Sequence, residues 1–318
     1  MKEKTLLIIN PKSGKQKRTK IFESVCATVR DKEPKLDIIY TEYKGHAADI
    51  AKTAGQYKKV ICMGGDGTLN EVCNGLLNIP KEARPLVSYI PAGSTNDFAR
   101  GIGLPKSIKK ASKLTVTDEI SPIDIGSFRD SQSNTRFFTY VASFGLFTKI
   151  SYTTNQDIKN RFGHFAYIFE GIKSLSELQK IKPFKLKIET DDTVIEQEYI
   201  FGAITNSTSL GGLVKLDKKN VHVNDGLFEL LLIRKPKSFI ALADTVRQLI
   251  NKKYCYERII FSHTSKLKLT SDCPLDWTLD GEFAGSTETA EINVLPSELN
   301  FVRPNEVRAK TLILKKEP

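Results

Sequence analysis

In the first ninety residues, apolar runs that do not alternate are separated by stretches in which apolar residues recur every third or fourth position. Thr5-Leu6-Leu7-Ile8-Ile9, Leu36 to Thr41, Val60 to Met63 and Leu86 to Ile90 are the runs. A short apolar run bounded by Gly, Pro or polar residues predicts a strand buried on both faces. Between the runs, Ile21, Val25 and Val29 mark one helix and residues from about Ala47 to Ala54 a second. Leu69, Val72, Cys73 and Leu76 mark a third, at i, i+3, i+4 and i+7. Strands alternating with helices predict right-handed βαβ units in a doubly wound parallel sheet. Ligands of such sheets bind at the carboxyl ends of the strands, so the turns after Ile9, Thr41, Met63 and Ile90 should share one rim.

Near Ile123 the pattern changes. Ile123 to Phe128, Phe137 to Phe144, Lys185 to Thr190, Glu198 to Thr205, Leu227 to Arg234 and Ile259 to Leu269 read as strands, interrupted by helices at about Phe165 to Lys180 and Ser238 to Ile250. Leu186, Ile188 and Thr190 alternate with Lys187 and Glu189, which fits a half-exposed antiparallel sheet. The expectation is an α/β domain over 1–122 and a β-rich domain over 123–304. No internal repeat, low-complexity tract or long linker breaks this division.

Composition narrows the function classes. At 318 residues the chain is too long for one small core, and its 40% hydrophobic and 27% charged content is ordinary for a globular protein. No apolar stretch approaches the ~20 residues that span a bilayer. Leu6 to Ile9, after Met1-Lys2-Glu3-Lys4, is too short for a signal peptide, so a cytoplasmic protein is expected. Five scattered cysteines without a Cys-x-x-Cys indicate neither a disulfide framework nor a zinc site, and Cys62 and Cys73 read as small core residues.

The net charge of +11 favours phosphate-rich partners: nucleotides, nucleic acid or an anionic membrane surface. The excess is dense at Lys12, Lys15, Lys17, Arg18 and Lys20, and at Lys106, Lys109, Lys110 and Lys113. For any single lysine a solvated basic face is sufficient. No aromatic-interleaved basic stripe is present, so nucleic acid is not an expected partner.

The stretch Gly64-Gly65-Asp66-Gly67-Thr68-Leu69-Asn70-Glu71 carries the clearest chemistry. A strand, a glycine turn and a helix N-terminus bring bare N–H groups and the positive dipole end toward an anion. Glycine allows close backbone approach, often at positive φ. Asp66 inside such a turn would repel a phosphate unless a cation lies between them, which implies Mg²⁺; the plain alternative is a helix cap. Asn10-Pro11-Lys12-Ser13-Gly14 is a second strand-to-turn junction with a weaker phosphate signal. Pro91-Ala92-Gly93-Ser94-Thr95-Asn96-Asp97 is a third, in which Asn96-Asp97 can cap the next helix.

Farther on, Asp225-Gly226 fits a hairpin turn and a metal ligand equally well. Asp280 and Glu282, two residues apart, would face one side of an extended strand, where paired carboxylates serve a metal or proton transfer. The histidines show no metal spacing, and Ser13 and Ser94 have no obvious His partner for a hydrolase triad. Neither a Walker-type loop nor a dinucleotide fingerprint follows the first strand.

In this order, Asn10-Pro11-Lys12-Ser13-Gly14, Gly45-His46-Ala47, Gly64 to Val72, Pro91 to Ala99, Gly211-Gly212, Asp225-Gly226 and Leu279-Asp280-Gly281-Glu282 resemble the diacylglycerol kinase catalytic-domain family, specifically its soluble bacterial lipid kinases. The resemblance covers essentially the whole chain. The glycine loop alone is shared with NAD kinases and phosphofructokinases.

The resemblance implies ATP in a cleft between the α/β domain and a β-sandwich-like domain. Asn10, Lys12, Ser13, Thr41, Gly64, Gly65, Asp66, Gly67, Thr68, Glu71, Gly93, Ser94, Thr95 and Asn96 would surround it. It implies Asp280 as general base, Glu282 and Asp66 as partners in a Mg²⁺ network, and a structural Mg²⁺ site with Asp225 and Asp217. It further implies a lipid alcohol acceptor (diacylglycerol by default, otherwise phosphatidylglycerol, ceramide or sphingosine), peripheral attachment to the inner face of the plasma membrane and the option of a homodimer. A last strand at Thr311 to Leu314 would return to the first domain, so that 305–318 rejoins 1–122.

Two stretches depart from the family's usual pattern: Gly93-Ser94-Thr95, where Gly-Thr is usual, and Gly211-Gly212-Leu213 with Asn220-Val221-His222, where a third Gly and a Pro are usual. An NAD kinase and a nucleotide-binding regulator are the competing readings. The pairing of Asp280 with Glu282 argues against the first, and retention of all the acidic positions argues against the second.

Overall fold

A computed structural model describes residues 2–14, 19–115, 120–146, 180–210, 214–217 and 219–304. The helix expected near Phe165, the Gly211-Gly212 departure, Lys15, Lys17, Arg18 and the expected return at Thr311 to Leu314 lie outside the described residues. The chain divides into two compact units, one running to Ile123 and taking up the chain again from Ser297, the other spanning Asp124–Pro296.

The first unit is built on parallel strands β1 (Thr5–Ile9), β2 (Leu36–Tyr40), β3 (Lys59–Gly64) and β4 (Leu86–Pro91), in the order β2-β1-β3-β4. Helices α1 (Thr19–Lys32), α2 (His46–Lys52), α3 (Asp66–Leu76), α4 (Asp97–Gly101) and α5 (Ile108–Leu114) connect and follow them. Every residue of β1 and β3 is buried, as a strand covered by helices on both faces requires, whereas the edge strand β2 is only half-buried. Leu7, Ile9, Ile61, Met63 and Ile90 of the sheet pack with Val25 and Val29 of α1 and Ala111 of α5.

At the amino ends of the strands, Lys59 Nζ lies 2.8 Å from the Glu33 carboxylate, which also accepts from the Thr5 hydroxyl at 2.9 Å, and all three residues are buried. From Ser297 the chain rejoins this unit. Phe301 pairs in parallel with Val87 and sets its ring 5.1 Å from that of Phe98, while the Arg84 guanidinium grips the Glu298 carboxylate.

The second unit is antiparallel. Its strands are β5 (Ile120–Asp130), β6 (Thr135–Phe138), β7 (Val141–Gly145), β8 (Phe184–Thr190), β9 (Val194–Tyr199), β10 (Phe201–Thr205), β11 (Ser209–Leu210), β12 (Val214–Lys215), β13 (Phe228–Ile233), β14 (Ile259–Thr264), β15 (Lys266–Leu279) and β16 (Glu282–Val302), with one described helix of full length, α6 (Phe239–Asn251). The ladder runs β14-β13-β10-β7-β15-β16, with β8 and β9 added through β15, and β5 and β6 through β16.

β15 changes partner along its length: Leu267 to Ser271 pair with β8, and Trp277 to Leu279 pair with β7. The switch coincides with a register break between Thr270 and Leu275 that contains Pro274, a residue unable to donate to a ladder. Strands that change sheets at bulges make the corners of a sandwich. Trp277, fully buried, fills the centre, with Phe128 and Phe144 rings 5.0 and 4.9 Å away.

Three expected single strands are broken in the structure, and carboxylates account for two of the breaks. Phe137 to Phe144 divides at Thr139-Tyr140, whose amides turn to the Asp280 side chain. Ile259 to Leu269 divides at Ser265, where the Asp191 carboxylate accepts from the amides of Ser265 and Lys266 and the Thr264 hydroxyl. Glu198 to Thr205 divides at Ile200, whose amide donates to Ile233 O.

Candidate active site

Three loops interlock at the carboxyl edge of the parallel strands. After β1, the Asn10 amide N–H donates to Met63 O at 2.9 Å, and its side chain donates to the Thr68 hydroxyl at 2.9 Å. The Asn10 carboxamide oxygen accepts from Lys12 N, holding the turn, and the Ser13 hydroxyl accepts from Gly65 N at 3.2 Å. After β4, Ala92 N donates to Gly64 O at 2.7 Å. Thr41, buried after β2, donates its backbone N–H to Ile9 O, and Glu71 on α3 accepts from Gly45 N at 2.8 Å. Lys12 is exposed, with its ammonium 3.5 Å from Glu42 O.

The glycines serve contact more than left-handed geometry. Gly64, Gly65 and Gly67 are not among the residues with positive φ. Space is what demands glycine here: a Cβ on Gly93 would stand 2.6 Å from the Gly65 Cα, and one on Gly64 would stand 2.6 Å from the Thr68 side chain. Two glycine backbones therefore touch across the loops that follow β3 and β4.

Asp66 opens α3 one residue after the N-cap Gly65 and is buried. One of its oxygens accepts from Asp97 N at 3.0 Å and from the Thr95 hydroxyl at 3.3 Å. It thus caps α4, the neighbouring helix, and not its own. Asn96 was expected to help cap α4, but it sits at φ 52° and turns its side chain back onto Gly93 N and Gly93 O. Ser94, Thr95 and Asn96 line a hollow of about 220 Å³ with Arg100 and Lys106.

The second unit carries Asp280. Asp280 and Gly281, with φ of 50° and 84°, form the two-residue turn joining β15 to β16. Asp280 and Glu282 do not share a face as expected: the turn buries Asp280 and leaves Glu282 exposed. One Asp280 oxygen accepts from Thr139 N at 2.7 Å and from the Thr139 hydroxyl at 2.8 Å. The other accepts from Tyr140 N at 3.0 Å and Val141 N at 3.1 Å. Burial pushes the Asp280 carboxyl above its ordinary pKa, against the pull of these four donors.

Asp225 and Asp217 each accept from an amide of their own turn, Leu227 N and Lys219 N, and no cluster of three or more His, Cys, Asp or Glu that could hold a metal occurs among the described residues. Asp124, fully buried, accepts from Gly226 N at 2.7 Å, in the turn that carries Asp225.

Residues 4–128 match the diacylglycerol kinase catalytic domain, and residues 141–303 match the YegS C-terminal NAD kinase beta sandwich-like domain. Over 94% of this chain, a diacylglycerol kinase of Bacillus subtilis is 30% identical, with 96% of its own length covered. The chain belongs to the diacylglycerol kinase family. A second relative, a diacylglycerol kinase of Staphylococcus carnosus, is 29% identical over 98% of this chain and 99% of its own. The crystal structure of a diacylglycerol kinase from Bacillus anthracis superposes with a TM-score of 0.73 at 25% identity, covering 96% of this chain and 98% of that one. An NAD kinase from Archaeoglobus fulgidus, solved with ATP, shares the fold at a TM-score of 0.52 and 12% identity over 98% of each chain.

Within the family frame, three residues stand out that sequence reasoning did not single out. The Tyr89 hydroxyl donates to Gly64 O at 3.2 Å from inside the sheet, and the buried Thr139 binds Asp280. The third, Glu229 on β13, is 1% exposed and has its pKa raised by burial, and further by Asp225, to about 9. Only Glu229 had a signal in the sequence, as a lone acid in the apolar run Leu227 to Ile233. No helix among the described residues is long and apolar enough to cross a membrane.

Proposed function

We propose that this protein is an ATP-dependent lipid kinase that moves the γ-phosphoryl group onto a lipid hydroxyl, with diacylglycerol as acceptor and phosphatidic acid as product. The observation that carries the reading is the interlocked rim, in which Gly64 to Thr68 are braced by Asn10, Ser13 and Gly93. A braced loop at a helix N-terminus suits phosphoryl transfer, which needs positioning and charge stabilisation more than covalent chemistry.

In this reading the amides of Gly64 to Thr68 and the start of α3 hold the phosphates, with Asn10, Ser13, Thr41, Ser94, Thr95 and Asn96 around the nucleotide and Lys12 reaching it from the rim. Mg²⁺ takes one or two carboxylates and completes its shell with phosphate oxygens and water, so the buried Asp66 fits one such ion. When bound, that ion offsets charge on the transferred group. Asp217 and Asp225 satisfy their own turns, and we assign no metal to them.

The acceptor hydroxyl is too weak an acid to ionise beforehand, so its proton leaves as the oxygen attacks phosphorus and ADP departs. Asp280 accepts that proton in our reading, and its raised pKa suits a base. A carboxylate offers about four lone-pair sites, and protein donors occupy all four. Of these donors, only the Thr139 hydroxyl can rotate away without moving backbone, so it must yield its place. Glu282, exposed beside the turn, is left an outer role in orienting water.

The test is phosphate transfer from labelled ATP to vesicles of total membrane lipid, with NAD⁺ as a parallel acceptor and products identified by mass spectrometry. Labelled phosphatidic acid is expected. Transfer to NAD⁺ alone would make the protein an NAD kinase, and transfer to neither would leave a nucleotide-binding regulator.

A further inference from the structure

Helix α6 has an outward face that its own unit leaves uncovered. Ala241, Leu242, Thr245, Gln248 and Leu249 are buried, yet Phe239, Ile240 and Ile250 are 42%, 83% and 69% exposed. At 3.6 residues per turn, Phe239, Ile240, Ala243, Arg247 and Ile250 fall within an arc of roughly 100°. A surface helix ordinarily carries polar residues there, and a contiguous apolar patch marks a contact with something else.

Charge surrounds this patch. Residues 234–258 contain seven basic and two acidic side chains. Lys237 precedes the helix, Lys252 and Lys253 follow it, and all three are exposed, as is Tyr256 beneath the Arg234 guanidinium. At the start of α6 lies a hollow of about 750 Å³ lined by Arg234, Lys235, Lys237 and Arg258 together with Glu198 and Glu257. Arg234 Nε and Nη2 are buried and hydrogen-bond to nothing among the described residues. A guanidinium with unfilled N–H donors is a fork that matches phosphate oxygens.

We propose that α6 and the hollow at its start dock this protein on an anionic phospholipid bilayer. Phe239, Ile240 and Ile250 enter the headgroup–acyl boundary, the lysines meet the negative surface, and Arg234 takes a lipid phosphate. An apolar helix face rimmed by cations is how a peripheral helix lies in such an interface. A second copy of the chain fits less well, because a two-fold contact sets this patch, cations included, against itself. The proposal rests on the lipid-kinase reading for its reason, but not for its measurement.

The experiment is sedimentation of the full chain with vesicles of phosphatidylcholine alone and of phosphatidylcholine with phosphatidylglycerol, together with its transfer activity on a short-chain diacylglycerol dissolved below its aggregation limit. Binding is expected only to the anionic vesicles. The double variant Ile240→Asp with Ile250→Asp should lose it by at least tenfold, and Lys252→Glu with Lys253→Glu should lose it by roughly twenty-five-fold or more, since each basic residue near such a surface contributes about fivefold. Both variants change exposed side chains and should keep the wild-type melting temperature and activity on the dissolved substrate. Arg234→Gln should weaken binding to anionic vesicles, and millimolar inorganic phosphate should not compete.

Vesicle binding unchanged in both double variants, or no binding by the wild type, overturns the proposal. So does conversion of a wild-type dimer to a monomer by Ile240→Asp with Ile250→Asp, which would make the face an interface between copies. Failure of activity on the dissolved substrate with vesicle binding intact would count against the kinase reading alone.

Discussion

Replacing Asp280 with Asn tests the base and its setting together. The carboxylate accepts two hydrogen bonds on each oxygen, from Thr139 N and Oγ1 and from Tyr140 N and Val141 N. A carboxamide has one acceptor atom and one donor group. Aimed at Tyr140 and Val141, the donor would strand two amides. Aimed at Thr139, it strands only the Thr139 N–H, because the hydroxyl can turn to accept. The second arrangement should prevail.

One buried N–H without a partner costs about 1–3 kcal/mol, and the surviving bonds lose the extra strength of a charged acceptor. Relief from burying a charge offsets part of this, since burial already raises the Asp280 pKa. A net loss of about 2–4 kcal/mol and a melting temperature lower by roughly 5–15 °C are expected for a unit of this size. Thermal unfolding by circular dichroism, ATP affinity by calorimetry and labelled phosphate transfer at 20 °C separate the terms. The variant should remain folded at 20 °C, bind ATP near normally and transfer almost no phosphate. An unchanged melting temperature would refute the hydrogen-bond accounting. Substantial transfer by folded variant would refute Asp280 as base.

Glu229→Gln should stabilise the protein, and more so at pH 8 than at pH 5. The folded pKa is raised to about 9, so the folded state keeps a proton the unfolded chain releases. Wild-type stability therefore falls as pH rises from the ordinary Glu value toward about 9, by at most about 1.4 kcal/mol per pH unit, and melting curves against pH would show whether the glutamine removes that slope. Lys59→Met should cost about 1–3 kcal/mol by removing one of the two lysines paired with the buried Glu33, Lys58 remaining 2.7 Å away, with Glu33→Gln in the same chain recovering part of it in denaturant titrations. Despite burial, hydrogen bonds from Lys58, Lys59 and Thr5 hold the Glu33 pKa low, so the wild-type advantage should shrink as pH falls below the ordinary Glu range. Gly93→Ala would drive a methyl into the Gly65 backbone and separate the two loops, raising KM for ATP by on the order of tenfold or more at unchanged lipid affinity. An alanine variant with wild-type KM would show that the loops need no contact.

Local pattern made the first unit legible. β1 and β3 are buried on both faces, and such strands announce themselves as unbroken apolar runs whatever surrounds them. The strand breaks of the second unit could not be read the same way, because their causes are distant in sequence. Asp280 turns the amides of Thr139 and Tyr140 from roughly 140 positions along the chain, and Asp191 turns those of Ser265 and Lys266 from roughly 75. A run of apolar residues records burial, but it does not record which amides a remote carboxylate has claimed.

Asp280 and Asp66 carry the same point into the site. Asp280-Gly281 bears the strongest short hairpin signal, and a two-residue turn places its first residue at positive φ. Applying strand alternation across that turn put Asp280 and Glu282 on one face; applying the turn geometry separates them. Asp66 was legible as a residue type but not in its contacts, since the helix it caps begins at Asp97, in the loop after the next strand. Both carboxylates bind backbone amides far from their own position, so each orders structure and also stands where we propose it acts on phosphate or proton. A substitution at either position will therefore lower stability and activity together. Comparing Thr139→Val with Asp280→Asn separates the two effects: the first removes one donor from Asp280 and should leave a base free to accept a proton, whereas the second removes the base.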